Sequence, residues 1–321
     1  MKKLNIALLS GGISSEREVS LNSGNQVYQA LDKDKYRIFR YDPKTDLAKL
    51  IADASQIDVA LIILHGPYGE DGTVQGLLDL LGIPYQGSGV LGSALAMNKL
   101  AAKQLYEKAG LMTPPYLVVT PKTGYDPDAW VKTLGIPLVV KPSGAGSSVG
   151  ISIIRKKDNL KKALDEAFSH DDSVILEKYI HGIELTGGVI GNDDLRALPL
   201  IEIIPNSSHE FFNYRAKYTT GASQEICPAR IDNALTEKAK ECAIRAHRAL
   251  FCRGYSRTDM ILDGKTVYVL ETNTIPGMTA TSLLPQAAAV DGIPFPQLLD
   301  RLIQLGIEEK KRRAFHDHSK P

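Results

Sequence analysis

Cysteine is scarce in this chain. Three are present, Cys227, Cys242 and Cys252, and they form neither a CxxC pair nor a zinc-binding pattern. That excludes a disulfide framework and points to reduced, buried thiols in a cytoplasmic protein. Net charge is also lacking: 38 basic side chains against 37 acidic ones leave +1. Such a balance gives no reason to expect nucleic acid or an anionic membrane as partner. Long apolar runs are missing too, and VALIIL falls far short of the roughly 20 residues that a membrane-spanning helix needs. The opening MKKLNIALLSGG starts like an export signal, but polar loop residues resume within a few positions, so it reads as a first strand. Two phosphate-binding fingerprints are absent. No GxGxxG follows the first strand, which disfavours a Rossmann dinucleotide site, and no GxxxxGK[ST] occurs.

What is present is a phosphate loop of another kind. KPSGAGSSVG, residues 141–150, has its lysine ahead of the glycines and follows the apolar run IPLVV. Lys141 therefore stands on a strand, from which it can reach a nucleotide lying across the sheet. The strands on either side of the loop predict an antiparallel hairpin, with the loop closing over phosphates as a flap of backbone N–H groups and serine hydroxyls.

At 321 residues, and a prior of roughly 150 per domain, two or three domains are expected. Up to about Ala96 strands and helices alternate, LNIALLS, YRIFRYD, DVALIILH and the short IPYQG against three helical segments, which argues a doubly wound parallel sheet. Ser15 and Glu18 have capping-box spacing at the start of the first helix. From Met97 the pattern changes to short strands around the flap, and from about Ile183 to longer strands, a polar and aromatic stretch, a long helix and a hairpin. The expected division is 1–96, 97–182 and 183–321. The charged tail EEKKRRAFHDHSKP reads as a frayed helix end.

RTDMILDGKTVYVLETN carries the most chemistry. Arg257 and Asp259 are two apart on one strand, and Glu271 and Asn273 two apart on the next, so each pair shares a face. Asp, Glu and Asn together offer oxygen ligands suited to magnesium completed by substrate phosphates. An arginine beside them is placed to stabilise a developing oxyanion. The plain alternative, solvated strand charges, sits badly with the apolar runs DMIL and VYVLE around them. The faces of Asp259 and Glu271 meet only if pairing joins odd-numbered positions to odd, so the turn at Asp263-Gly264 is expected to hold an odd number of residues.

His65 stands at the carboxyl end of the strongest strand, where open α/β sheets bind ligands. Glu70 and Asp71 precede a helix, and their plain reading is charge at its N-terminus, with a direct site role as the alternative for Glu70. In GGISSEREVS the capping box accounts for Glu18, which leaves Glu16 as the candidate to bind an amine. Glu177, Lys178 and Glu184 in LEKYIHGIE can present groups to an adenine edge and ribose hydroxyls, although strand charges are more often solvated. Lys99, on its helix, is by itself more often surface than ligand.

HGPYGEDG, KPS...GSSVG, EKYI.G.E, YRAKY, CRGYSRTD and LETNTIPGMT.TSLLP occur in this order. Together they resemble the ATP-grasp superfamily, and closely its D-alanine-D-alanine ligases, over roughly residues 4–305. The resemblance implies an N-terminal doubly wound α/β domain followed by a two-part ATP-grasp module with mainly antiparallel sheets. It implies ATP as substrate, held by Lys99, Lys141 and Ser148 at the phosphates and by Glu177, Lys178 and Glu184 at the adenosine. Two magnesium ions, or manganese in their place, would sit on Asp259, Glu271 and Asn273. Glu16 would bind the ammonium of the first D-alanine, with His65 near its carboxylate. Arg257 and the Gly277 N–H would form an oxyanion hole, and Ser282 with the Leu283 backbone would receive the second D-alanine's carboxylate. Lys217 and Tyr218 would close the site, Tyr218 hydrogen-bonded to Ser147 and onward to Glu16. A cytoplasmic homodimer serving peptidoglycan synthesis is expected, with no nucleic acid or membrane partner. Two stretches depart from the usual pattern: the flap has Gly144-Ala145-Gly146 where bulkier polar residues are common, and Arg215 stands where an acidic residue is common. Two alternatives remain: another ATP-grasp ligase, including one that makes D-alanyl-D-lactate, and a nucleotide-binding regulator with a dead site.

Overall fold

The computed structural model describes residues 2–144, 150–205 and 223–318, with side chains in the last helix as far as Arg312. The described residues form three sheets. In the first, β1 (Leu4–Leu9) lies between β2 (Tyr36–Tyr41) and β3 (Val59–Ile62), all parallel. Ile6 to Leu9 and all of β3 are buried, as strands covered on both faces must be. Ile6, Leu8, Val59 and Leu61 face α1 (Arg17–Ala30) and the last helix, α10 (Phe295–His318); Ala7, Leu9, Ala60 and Ile62 face α2 (Leu47–Asp53) and α3 (Thr73–Leu80). The doubly wound expectation holds, with the far end of the chain supplying one of the covering helices.

The strand expected at IPYQG is replaced by a single parallel bridge from Tyr85 to Ala60. The buried Gln86 side chain takes over where backbone pairing stops: its Oε1 accepts from the Ile62 N–H at 2.9 Å and its Nε2 donates to the Ile62 carbonyl at 2.7 Å. The capping box at Ser15 and Glu18 is not formed. Helix α1 begins at Arg17 with Glu16 as its N-cap residue and no side-chain capping bond. Ser14 supplies the local order instead, accepting from the Glu16 N–H at 3.2 Å while donating to the His65 carbonyl at 2.7 Å.

After α4 (Val90–Met97), α5 (Lys99–Lys108) leads into the second sheet, capped by Asn98, whose side chain accepts from the Ala101 N–H at 2.9 Å. That sheet is antiparallel, in the order β4 (Tyr116–Val119), β7 (Val174–Lys178), β5 (Leu138–Pro142), β6 (Ser152–Ile154). β5 and β6 are the expected hairpin around the flap. Leu138, Val140, Val174 and Leu176 pack under α6 (Pro127–Leu134) and α7 (Leu160–Phe168), with Trp130, the chain's one tryptophan, in that core. The alternate residues, Lys141 and Glu177 among them, face the other way.

The third sheet runs β11 (Ser223–Ile226), β10 (Ile201–Pro205), β8 (Ile183–Gly191), β12 (Gly254–Asp263), β13 (Thr266–Asn273), with β9 (Arg196–Ala197) paired to β8. Helix α8 (Asn233–Ala249) covers one face through Ala239, Cys242, Ala243 and Ala246 against Leu185, Met260 and Val269. On the other face Ile190, Ile201 and Tyr255 dock against α9 (Leu283–Val290) and α10, joining the core of the first sheet. The charged tail is helical through His318, and its beginning is anchored rather than frayed: the buried Glu309 carboxylate pairs with Arg253. The three cysteines are free; Cys242 and Cys252 are buried and Cys227 is partly so.

Candidate active site

The β12–β13 hairpin carries the acidic centre. Its turn holds two residues, Gly264 and Lys265, because Asp263 pairs with Thr266; an odd-numbered turn is not what the chain uses. Pairing then runs odd to even as far as Met260–Val269. At that point the register shifts, and Asp259 pairs with Glu271 and Arg257 with Asn273. Leu270 is left without an opposite residue, a β-bulge. Val269 can thus face α8 while Glu271, two residues on, faces the site.

Asp259 is held firmly. Arg257 Nε and Nη2 donate to its two carboxylate oxygens at 2.9 and 2.8 Å, and the Thr186 hydroxyl adds a bond of 2.7 Å. Arg257 and Asp259 are both buried. Glu184, opposite Ile261 on β8, lies on this same face. Behind it a chain of hydroxyls, Tyr106 to Thr272 at 2.8 Å and Thr272 to Thr258 at 3.0 Å, ties α5 to the hairpin.

Helix α5 reaches both of the later sheets. Lys99, its first residue, extends to Glu271 with 3.8 Å between Nζ and Oε2, and its N–H donates to the Ser143 carbonyl at the flap's base at 2.7 Å. One turn on, Lys103 pairs with Glu177 of β7, whose other oxygen binds Lys141 Nζ at 2.6 Å. All three are buried. Burial opposes ionisation of Glu177, but the two lysines outweigh it and hold its pKa below the usual carboxylate range. Lys178, the next residue, is exposed and points to the opposite face, so its side chain is not brought to this cluster.

At the edge of the first sheet Glu16 and His65 meet. Both are buried, and a Cβ on Gly66 would lie 3.0 Å from Glu16 Oε2, so the carboxylate rests over this glycine. Glu70 turns inward rather than capping α3, its Oε1 3.6 Å from His65 Nδ1. Burial works against a charged His65, but Glu70 and then Glu16 pull its pKa above the ordinary value; burial pushes Glu70 up. Asp71 is the residue that serves the helix start, accepting from the Thr73 N–H at 2.9 Å. A cavity of about 170 Å³ opens beside this loop, with mainly apolar walls that include His65, Pro43, Tyr68 and Val74.

Past Asn273, whose Oδ1 accepts from the Ile275 N–H at 2.9 Å, the chain turns through Gly277. Ser282 stands as N-cap residue of α9, its Oγ 2.7 Å from Thr279 Oγ1 and 3.0 Å from where a Gly277 Cβ would be. Leu283 is the buried first residue of that helix, whose N-terminus is suited to a carboxylate. Ser147, Ser148, Lys217 and Tyr218 lie outside the described residues. Sequence reasoning passed over Lys103 and Thr186. The spacing of Lys99 and Lys103, a helical turn apart in KLAAK, was a signal for the first; nothing in the sequence marked the second.

The model of the D-ala D-ala ligase C-terminus matches residues 105–304, and that of the N-terminus residues 42–88. The chain belongs to the D-alanine-D-alanine ligase family. Among the ligases of this family, that of Syntrophobacter fumaroxidans is 62% identical over 308 residues, covering 96% of this chain and 99% of the relative. That of Desulfotalea psychrophila is 54% identical and covers 97% of each. The fold agrees with that of the Bacillus anthracis ligase complexed with ATP, with a TM-score of 0.85 at 37% identity over 97% of this chain and 99% of that one. The Coxiella burnetii ligase, at 28% identity, also gives 0.85, over 99% of this chain and 98% of that one.

Proposed function

We propose that this chain joins two D-alanines into D-alanyl-D-alanine, using ATP, in the synthesis of peptidoglycan precursors. The observation that carries this reading is the cross-strand pair Asp259–Glu271, flanked by Arg257 and faced by Lys99, within a chain of this family.

A carboxylate does not acylate an amine at neutral pH without activation. ATP transfers its γ-phosphoryl to the first D-alanine's carboxylate, giving D-alanyl phosphate. The second D-alanine's amine attacks that carbonyl, and phosphate leaves from the tetrahedral intermediate. The chain's part is positioning and electrostatics. Lys99 and Lys141, with Ser148 on the flap, hold the phosphates, and Glu177, Glu184 and the backbone at Lys178 take the adenosine. Glu16 holds the first ammonium, with His65 beside the carboxylate to be activated. Arg257 and the Gly277 N–H receive the oxyanion, while Ser282 and the N–H of Leu283 receive the second carboxylate. Lys217, Tyr218 and Ser147 close the site and keep water from the acyl phosphate.

Asp259, Glu271 and Asn273 suit magnesium: two carboxylates and an amide oxygen on one face leave positions for phosphate oxygens and water. Two such ions, or manganese, would neutralise charge on the transferring phosphoryl group. The same reading divides the chain at about 96 and 182, one sheet to each part, and expects a homodimer in the cytoplasm.

The test is phosphate release from ATP by the purified chain against D-alanine, L-alanine and D-lactate, with the product weighed by mass spectrometry. Release that needs D-alanine and yields the dipeptide is expected. ATP turnover indifferent to D-alanine, or stimulated equally by L-alanine, would overturn the reading.

A further inference from the structure

We infer that Lys103 is a positioning residue for the nucleotide, acting through Glu177 on Lys141. The inference rests on the reading of Lys141 and Glu177 as ATP contacts. Lys103 follows Lys99 by one turn of α5, so the two share a face of the helix. Lys99 reaches toward the third sheet, whereas Lys103 turns into the second and is 0% exposed. Its ammonium sits between the Glu177 Oε1 atom and the Pro114 carbonyl, 3.2 Å away, and 4.8 Å from the centre of the Tyr116 ring. Nothing about this ammonium faces solvent, so it is not a direct ligand for a phosphate entering the cleft.

Its effect is on its neighbour. Glu177 uses one oxygen for Lys103 and the other for Lys141. Without Lys103, a single carboxylate would face a single ammonium, and the pair would neutralise itself at the place where phosphate is to be bound. With Lys103 the three side chains carry one net positive charge, and Glu177 cannot swing toward Lys141 without leaving a fully buried ammonium unpaired. Lys141 is thereby held in place yet remains available to share with an anion. The pKa directions agree: burial, opposed by Glu177, lowers Lys103, and the two lysines keep Glu177 ionised.

The test compares Lys141→Met, Glu177→Gln, Lys103→Met and the double variant Lys103→Met/Glu177→Gln in the full chain. ATP binding without D-alanine is measured by calorimetry, and KM for both substrates by phosphate release. Lys103→Met is expected to weaken ATP binding about tenfold or more, as truncation of one partner in a buried charge pair does. KM for D-alanine should stay within about twofold, since the lost contact is uniform nucleotide binding. The double variant should bind ATP as Glu177→Gln alone does, because both changes act through one contact. Should Lys103→Met fail to fold, the double variant, which removes both buried charges, still decides. A double variant weaker than Glu177→Gln by a further tenfold or so would overturn the inference, as losses at unlinked sites add in free energy. So would a folded Lys103→Met chain with unchanged ATP binding, or with both KM values raised alike. If Lys141→Met and Glu177→Gln themselves leave ATP binding unchanged, the reading of the site falls and the inference with it.

Discussion

Asp259 lies directly opposite Glu271 although Met260, its neighbour, lies opposite Val269. The unpaired Leu270 makes both possible, placing Val269 under α8 and Glu271 in the site. Inserting an alanine between Asp259 and Met260, opposite Leu270, is expected to remove the bulge and drive Asp259 and Glu271 together toward the apolar face. Turnover should become undetectable and stability should fall by several kcal/mol, the penalty of a carboxylate buried without a partner. Phosphate release and urea unfolding measure the two. A folded insertion variant with full activity would show that the bulge does not set the face.

Arg257→Ala is expected to lower turnover about 100-fold or more, the range for one lost oxyanion donor. Affinity for ATP should change far less. Arg257→Lys should fall between, since an ammonium keeps the charge but not the two-pronged contact with Asp259. Steady turnover with a raised KM for ATP in the alanine variant would make Arg257 a nucleotide contact instead.

His247 predicts an acid limit to stability. It is buried under the third sheet with Nδ1 2.7 Å from Ser256 Oγ. Burial, reinforced by Arg248 and opposed by the Cys252 backbone, lowers its pKa from 6.5 to about 4. Above pH 6.5 or so it is neutral folded or unfolded. As pH falls toward 4 the unfolded chain takes up a proton that the folded chain refuses, removing up to about 3 kcal/mol of stability. Urea unfolding at pH 7 and 4.5 should show the wild-type chain losing about 2 kcal/mol more than His247→Asn. Equal losses would show that another group governs the acid limb.

The second substrate must attack as a neutral amine, and under the proposed assignment Tyr218 carries no basic group that could repel its ammonium precursor. A histidine there would, when protonated, hold the carboxylate of D-lactate and disfavour the ammonium. With both offered at pH 6 and pH 8, the native chain should make dipeptide, and Tyr218→His should shift product toward the depsipeptide at pH 6. Depsipeptide as the native chain's main product would overturn this assignment; an unchanged ratio in the variant would leave Tyr218 as packing.

The three-sheet plan was legible because its signals are local: apolar runs of strand length, helical periodicity and glycine turns. The acidic centre was legible for the same reason, as Arg257, Asp259, Glu271 and Asn273 lie within one hairpin. The bulge was not, because Leu270 in VYVLE looks like any other strand residue and only pairing leaves it over. Gln86 replacing a strand and Glu309 reaching Arg253 both depend on partners far along the chain. Lys103 was half visible: the helix was read but not the sheet that its second lysine would meet.

Trp130 sits beneath α6 in the core of the second sheet, 7% exposed, with the Tyr125 ring edge-on at 5.5 Å. Since the chain has no other tryptophan, emission excited selectively from tryptophan comes from the core of the second sheet alone. Fluorescence therefore follows the melting of the second sheet, whereas far-ultraviolet dichroism follows all three. Coincident midpoints would mean that the molecule unfolds as one cooperative unit. An earlier fluorescence midpoint would mark the part that carries Lys141 and Glu177 as a separate unit, opening while the acidic hairpin stays folded.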